Sequence, residues 1–230
     1  MDSTAIVTGG TGGLGSAVVE RLLDDGWRVI VPWIAEQELD RLAPRDGLEL
    51  IKADLSDADA VRGITQAASK EHATPLRGLV NLVGGFSQGG LVHETPVEEF
   101  EEQFRLNLRP TYLMTQAALP YMMEVGSGSI VCVGTRAALQ PFAGAAGYIS
   151  SKAAVIAFAH AVAVEYKNDG VRCNTILPSV IDTSFNRRSM PNADHSRWVK
   201  PAEIAGVIAH LLSSDSSPIS GAAIPVYGRA

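Results

Sequence analysis

Positive charge is in short supply: 19 lysines and arginines face 25 aspartates and glutamates, a formal net charge of −6. That deficit argues against nucleic acid or an anionic membrane as the general partner. Cysteine is scarce too. Cys132 and Cys173 sit inside strand-like apolar runs, where they read as reduced packing residues in keeping with a cytoplasmic location. No apolar run is long: the longest, "AAVIAFAHAVAV" from Ala153 to Val164, is too short to span a bilayer and contains His160, so a soluble protein without a membrane partner is expected. The opening "MDSTAIVTGG" lacks the basic start and apolar stretch of a signal peptide. His72, His93, His160, His195 and His210 show no metal-ligand spacing among themselves or with the cysteines, so no metal is expected. There is no internal repeat and no charge block or Pro/Ser-rich linker, and residues 1–230 read as one domain.

What the chain does have is alternation. "TAIVT", "WRVIV", "LELIKA", "RGLVNLV", "GSIVCV", "VRCNTIL" and "AAIPVY" read as seven strands. Segments near 13–26, 35–43, 57–71, 98–124, 146–168 and 201–213 carry helical spacing between them. Strands apolar on both faces and separated by helices imply parallel pairing through crossovers. The expected fold is α/β: a Rossmann-type, doubly wound, mostly parallel seven-stranded sheet with helices on both faces. Ligands then belong at the carboxyl ends of the strands. The helix from Tyr148 to about Asn168 is apolar on most of its circumference, which one sheet cannot cover. A homodimer or homotetramer through that helix and the segment around Tyr112 to Met123 is expected.

"IVTGGTGGLG" sets Thr8, Gly9, Gly13 and Gly15 between the first strand and a helix, with Leu14 among them. Glycines at these points let the backbone turn sharply and approach a pyrophosphate. Folds that prefer NAD carry an acid at the end of the second strand, about 20 residues on. Here that end reads Pro32, Trp33, Ile34, with neither the acid nor an arginine. Trp33 is a candidate cover for the adenine, and Glu36 reads as the start of the next helix, where an acid offsets the helix dipole.

"GYISSKAAV" puts Tyr148 and Lys152 four residues apart on one helix face. A neighbouring ammonium stabilises phenolate, so such a pair is able to shuttle a proton. With "TGGTGGLG" at 8–15, "ADLSD" at 53–57, "NLVGG" at 81–85, "LNLRP" at 106–110, "GSIVCVGT" at 128–135 and "LPSVIDT" at 177–183, the whole chain resembles the short-chain dehydrogenase/reductase family. The resemblance implies an enzyme using NAD or NADP on a small-molecule substrate. Tyr148 is the implied proton donor, and Lys152 lowers its pKa and holds the nicotinamide ribose. Thr135, thirteen residues before Tyr148, stands at the family's serine position. Asn107 is the implied holder of a water linking Lys152 to solvent. The implied cofactor contacts are Thr8, Gly9, Gly13, Leu14 and Gly15 in the glycine turn, Trp33, Asp54 and Leu55 around the adenine, Asn81 and Gly84 after the fourth strand, and Pro178, Ile181 and Thr183 at the nicotinamide amide. "NLVGG" departs from the family's usual asparagine-alanine-glycine, Ser179 from glycine and Thr135 from serine.

The stretch "FNRRSMPNADHSRW" reads as a substrate lid at about 184–198. This lid, "VGGFSQGG" and "GTRAALQPFAGAAGY" look most like the corresponding segments of dihydropteridine reductases. A pterin-like, quinone or other flat polar substrate follows from that likeness, with Phe86, Arg187, Arg188, His195 and Trp198 as candidate contacts. The arginines, Arg197 included, read either as anion binders or as solvated charges paired with Asp194, and Trp198 either as a ring-stacking platform or as a lid anchor. Against the reductase stands a second expectation, a non-catalytic dinucleotide-binding sensor or scaffold of the same fold.

Overall fold

A computed structural model describes residues 2–229. Its strands are β1 (Thr4–Thr8), β2 (Arg28–Trp33), β3 (Leu48–Lys52), β4 (Leu76–Asn81), β5 (Gly128–Val133), β6 (Val171–Pro178) and β7 (Ala223–Val226). They form one sheet in the order β3-β2-β1-β4-β5-β6-β7, parallel throughout. The chain runs outward from β1 to β3, then crosses back to place β4 on the other side of β1. That reversal opens a crevice beyond the carboxyl ends of β1 and β4.

Alternation along each strand feeds two cores. Ile6, Ile30, Leu79 and Ile130 face one side, where α2 (Ala58–Ser69), α4 (Arg109–Val125) and α5 (Ala146–Glu165) cover them. Ala5, Val7, Val29, Val31 and Val80 face the other, under α1 (Gly15–Asp24) and α7 (Pro201–Leu212). Cys132 and Cys173 are free thiols buried in the first core.

Three segments differ from the sequence pattern. The continuous helix expected over 98–124 is two, α3 (Val97–Asn107) and α4, parted at Leu108. Pro110 has no N–H for the carbonyl of Leu106, and its ring crowds that carbonyl. The segment 35–43 forms only a 3-10 turn, Glu36–Arg41, whose start lacks any side-chain cap from Glu36. The helix expected to reach Asn168 ends at Glu165; a 3-10 turn, Lys167–Asp169, and the left-handed Gly170 follow. The Ala153–Val164 run lies within the longer α5, which by length and composition alone is apolar enough to cross a membrane, a test that the core helix of a soluble protein also passes. Here it packs against β5, β6 and α3.

Candidate active site

The glycine turn closes tightly. Gly9 has φ +65°, and the Gly12 amide donates to its carbonyl at 3.0 Å. Thr8 Oγ1 accepts from the amides of Leu82 and Val83 at 3.0 and 3.3 Å, stitching the ends of β1 and β4 across the crevice. The first turn of α1 has neither a capping side chain nor an acid, and its Ser16 and Val18 amides donate to the carbonyls of Gly12 and Leu14 at 2.9 and 3.2 Å. Beside it a cleft of about 390 Å³ runs past Gly9, Thr11, Pro32, Trp33, Ile34, Asp54 and Leu55. Gly13 stands against the Thr183 methyl, where a Cβ would approach to 3.1 Å. Small residues, a helix start without acids and a walled cleft at the switch point fit a dinucleotide's pyrophosphate and adenosine. Ser56 amide and hydroxyl bonds hold Asp54 below the usual carboxylate range, so it is ionised at neutral pH.

Four side chains gather where β4, β5 and α5 end or begin. Asn107 is fully buried; its Oδ1 accepts the Gly85 amide at 2.9 Å and its Nδ2 donates to Ser151 Oγ at 3.1 Å. Ser151 in turn donates to the Tyr148 carbonyl at 2.8 Å, tying the end of α3 to the first turns of α5. Lys152 Nζ donates to the Val133 carbonyl at 3.0 Å. A Cβ on Gly84 would lie 2.5 Å from Asn107 Oδ1 and 2.9 Å from Lys152 Nζ, which places these two groups beside each other. Burial lowers the Lys152 pKa to about 8, partly opposed by the Cys132 sulfur. Burial raises the Tyr148 pKa, and a hydrogen bond from Thr135 draws it back down. Lys152 therefore rests on a backbone carbonyl, and Thr135 is the neighbour that favours the Tyr148 phenolate. Phe86 meets the Tyr148 ring edge-on at 5.0 Å and Phe142 at 6.3 Å.

Several expected contacts lie elsewhere. The Asn81 side chain is buried and turned into the core, towards Thr115 Oγ1 at 3.2 Å and Cys132 Sγ at 3.8 Å, not into the cleft. In the lid, Asp182 holds Arg187 in a bidentate pair at 2.5 and 2.8 Å. Asp194, the expected partner of the arginines, instead caps Ser196 at 2.6 and 3.1 Å. Arg197 donates to the Arg229 carbonyl at 3.1 Å. His195 lies 2.9 Å from the Met190 carbonyl and packs on Trp198 at 4.3 Å. Trp198 is 8% exposed; next to it Val199 bridges Ile181. The lid itself folds as a short helix, α6 (Ser184–Ser189), capped by Thr183 Oγ1, and a 3-10 turn, His195–Arg197. Arg188 remains exposed, and Pro178 ends β6 in the core. Leu14 occupies the position before α1. The sequence pattern did not single out Phe142, Glu38 or Arg41; only "EQELDR" directly after an acid-free strand end pointed to the latter two.

The model of the short chain dehydrogenase family matches residues 3–194. Among curated proteins, the chain is 31% identical to 2-(R)-hydroxypropyl-CoM dehydrogenase of Xanthobacter autotrophicus, covering 99% of this chain and 98% of that one. It is 34% identical to the 3-oxoacyl-[acyl-carrier-protein] reductase MabA of Mycobacterium tuberculosis, over 98% and 91% of the two chains. Among solved structures, levodione reductase superposes with a TM-score of 0.90 at 26% identity, over 99% of this chain and 97% of that one. ElxO with NADP bound also reaches 0.90, over 99% and 98%, at 24% identity, a likeness of fold.

Proposed function

The chain belongs to the short-chain dehydrogenase family and is an NAD(P)-dependent oxidoreductase, and on that premise we propose that Tyr148 is its proton donor in the reduction of a C=O or C=N bond. The observation that carries the reading is Tyr148 one helical turn from the buried Lys152 on α5, with Lys152 beside Asn107 and Thr135 the neighbour that favours the Tyr148 phenolate. A reduced nicotinamide, when bound, would supply the hydride that reaches the carbon of the substrate double bond. The Tyr148 hydroxyl gives its proton to the oxygen or nitrogen, and the Thr135 hydroxyl orients that atom. Thr135 favours the phenolate left behind, and the Lys152 ammonium, beside Asn107, returns a proton to it, with Asn107 holding the water that relays the proton to Lys152 from solvent.

For the substrate, flat conjugated rings that carry the reacting bond, quinones and quinonoid pterins among them, fit best. Phe86 packs edge-on against the tyrosine and Phe142 packs against Phe86, and both are exposed enough to offer ring surface for stacking. A strongly anionic substrate fits less well, because of the lid's three exposed arginines Arg187 is paired with Asp182 and Arg197 is bonded to the Arg229 carbonyl. The test is a panel of quinones, cyclic diketones, quinonoid dihydropterin and simple aliphatic ketones under identical conditions. Highest kcat/KM on an aliphatic ketone would sink the flat-ring assignment.

The pKa directions set a pH profile. Lys152 carries its charge below about 8 and loses it above. Tyr148, raised by burial, keeps its proton through the same range. In reduction, kcat/KM for the coenzyme, which reports the coenzyme-free enzyme, is expected to be level near neutrality and to fall about tenfold per unit above roughly pH 8. A profile level to about pH 9.5 contradicts the role of Lys152.

We infer also that two copies pair through α4 and α5, where Tyr112, Met123 and Val164 are 46, 41 and 68% exposed on otherwise apolar helices. Sedimentation equilibrium giving a mass near the 24.3 kDa of one chain would refute this.

A further inference from the structure

We infer that Glu38, carried on the 3-10 turn after β2, is the acceptor for the adenosine ribose hydroxyls and selects NADH over NADPH. The inference rests on the dinucleotide reading of the cleft. The end of β2, where a dinucleotide fold ordinarily supplies an acid to the ribose, offers Pro32, Trp33 and Ile34, none of which accepts through its side chain. The chain that follows turns back instead of entering an α-helix, and brings Glu38 to the cleft wall beside Thr11 of the glycine turn.

Glu38 is held there from both sides. Its Oε2 accepts the Thr11 hydroxyl at 2.9 Å, and its Oε1 accepts from Arg41 at 2.9 Å. Arg41 also donates to the Thr11 carbonyl at 2.8 Å, so the turn and the glycine loop are clasped together. An ionised carboxylate has about four acceptor sites, and these two bonds leave sites for a vicinal diol. Hydrogen bonds from hydroxyls to a carboxylate are about twice as strong as neutral ones.

The same arrangement disfavours a phosphate on that ribose. Glu38, Asp54 and Glu102 line the cleft against Arg105 alone, and Arg105 is paired with Glu102 at 3.2 Å. Arg41, the nearest candidate to receive a phosphate, is committed to Glu38 and Thr11. Lys52 lies over the Trp33 ring at 5.4 Å, outside the lining. A phosphomonoester dianion there meets more negative than positive charge.

The experiment is equilibrium binding of NADH and of NADPH, followed by coenzyme fluorescence at fixed ionic strength, with the wild-type chain and the Glu38→Gln variant. Circular dichroism and thermal melting confirm that the variant folds. The wild type is expected to bind NADH at least about tenfold more tightly, a difference of about 1.4 kcal/mol. In Glu38→Gln that ratio is expected to fall to near one, with NADH weakened and NADPH strengthened. Equal or tighter NADPH binding by the wild type, or an unchanged ratio in the variant, overturns the role of Glu38 while leaving the dinucleotide reading intact. Failure of the folded wild type to bind either coenzyme overturns both.

Discussion

Tyr148→Phe is expected to lower kcat by about a thousandfold, within the range for losing a positioned general acid. The exchange removes one hydroxyl and leaves the ring, so the edge-on contact with Phe86 is kept. The bond from the Ser151 hydroxyl to the Tyr148 carbonyl is likewise untouched. Dinucleotide affinity should stay within about threefold of wild type, because the glycine turn and the adenosine cleft lie on other elements. Thr135→Ala is a weaker companion, since it removes the hydrogen bond that moderates the phenol and not the proton itself. Turnover of Tyr148→Phe within about tenfold of wild type, measured by single-turnover coenzyme oxidation, would remove Tyr148 from the reaction.

The second large effect belongs to the glycine turn. A Cβ on Gly15 would stand 2.0 Å from the Gly9 carbonyl oxygen and 2.6 Å from Gly10 Cα. Both obstacles are backbone, so no side chain is able to swing aside. Gly15→Ala must therefore displace the turn or the start of α1, at a cost of about 3 kcal/mol, the upper end for overpacking. For a domain of this size that lowers Tm by roughly 10 °C. Coenzyme affinity should drop at least about tenfold if the displaced backbone is, as proposed, the surface that meets the pyrophosphate. Gly63→Ala is the control: nothing lies within 4 Å of its Cβ site in α2, and the exchange there should stabilise by about 0.5–1 kcal/mol. A Gly15→Ala protein that melts and binds like wild type would mean the close approach of α1 to the turn does not govern the site.

These two positions also mark how far the sequence could be read. The glycine turn, the Tyr148–Lys152 spacing and the seven apolar runs are local patterns, and each landed where its periodicity placed it. What escaped were properties set by distant neighbours. The helix face carrying Tyr148 and Lys152 was legible, but the lysine's bond to Val133 depends on where β5 ends beside α5. Asn81 belongs to a recognisable motif, yet which way its side chain turns is decided by Thr115 and Cys132, 34 and 51 residues away. The lid arginines looked equivalent in the sequence. Asp182, five residues before Arg187, makes them unequal, and the carbonyl of Arg229 does the same for Arg197. Glu38 went unnoticed because 35–43 has helical spacing; on an α-helix it would not have returned to Thr11.

The most direct test of hydride transfer at this site uses reduced coenzyme carrying deuterium on one face of C4, with the best quinone or diketone from the panel. Mass spectrometry of the product reads the result. Transfer of one deuterium from one face only, slowed about a thousandfold in Tyr148→Phe, is the predicted outcome. Tight coenzyme binding with no deuterium reaching any substrate would contradict the account and favour a dinucleotide-binding sensor of the same fold.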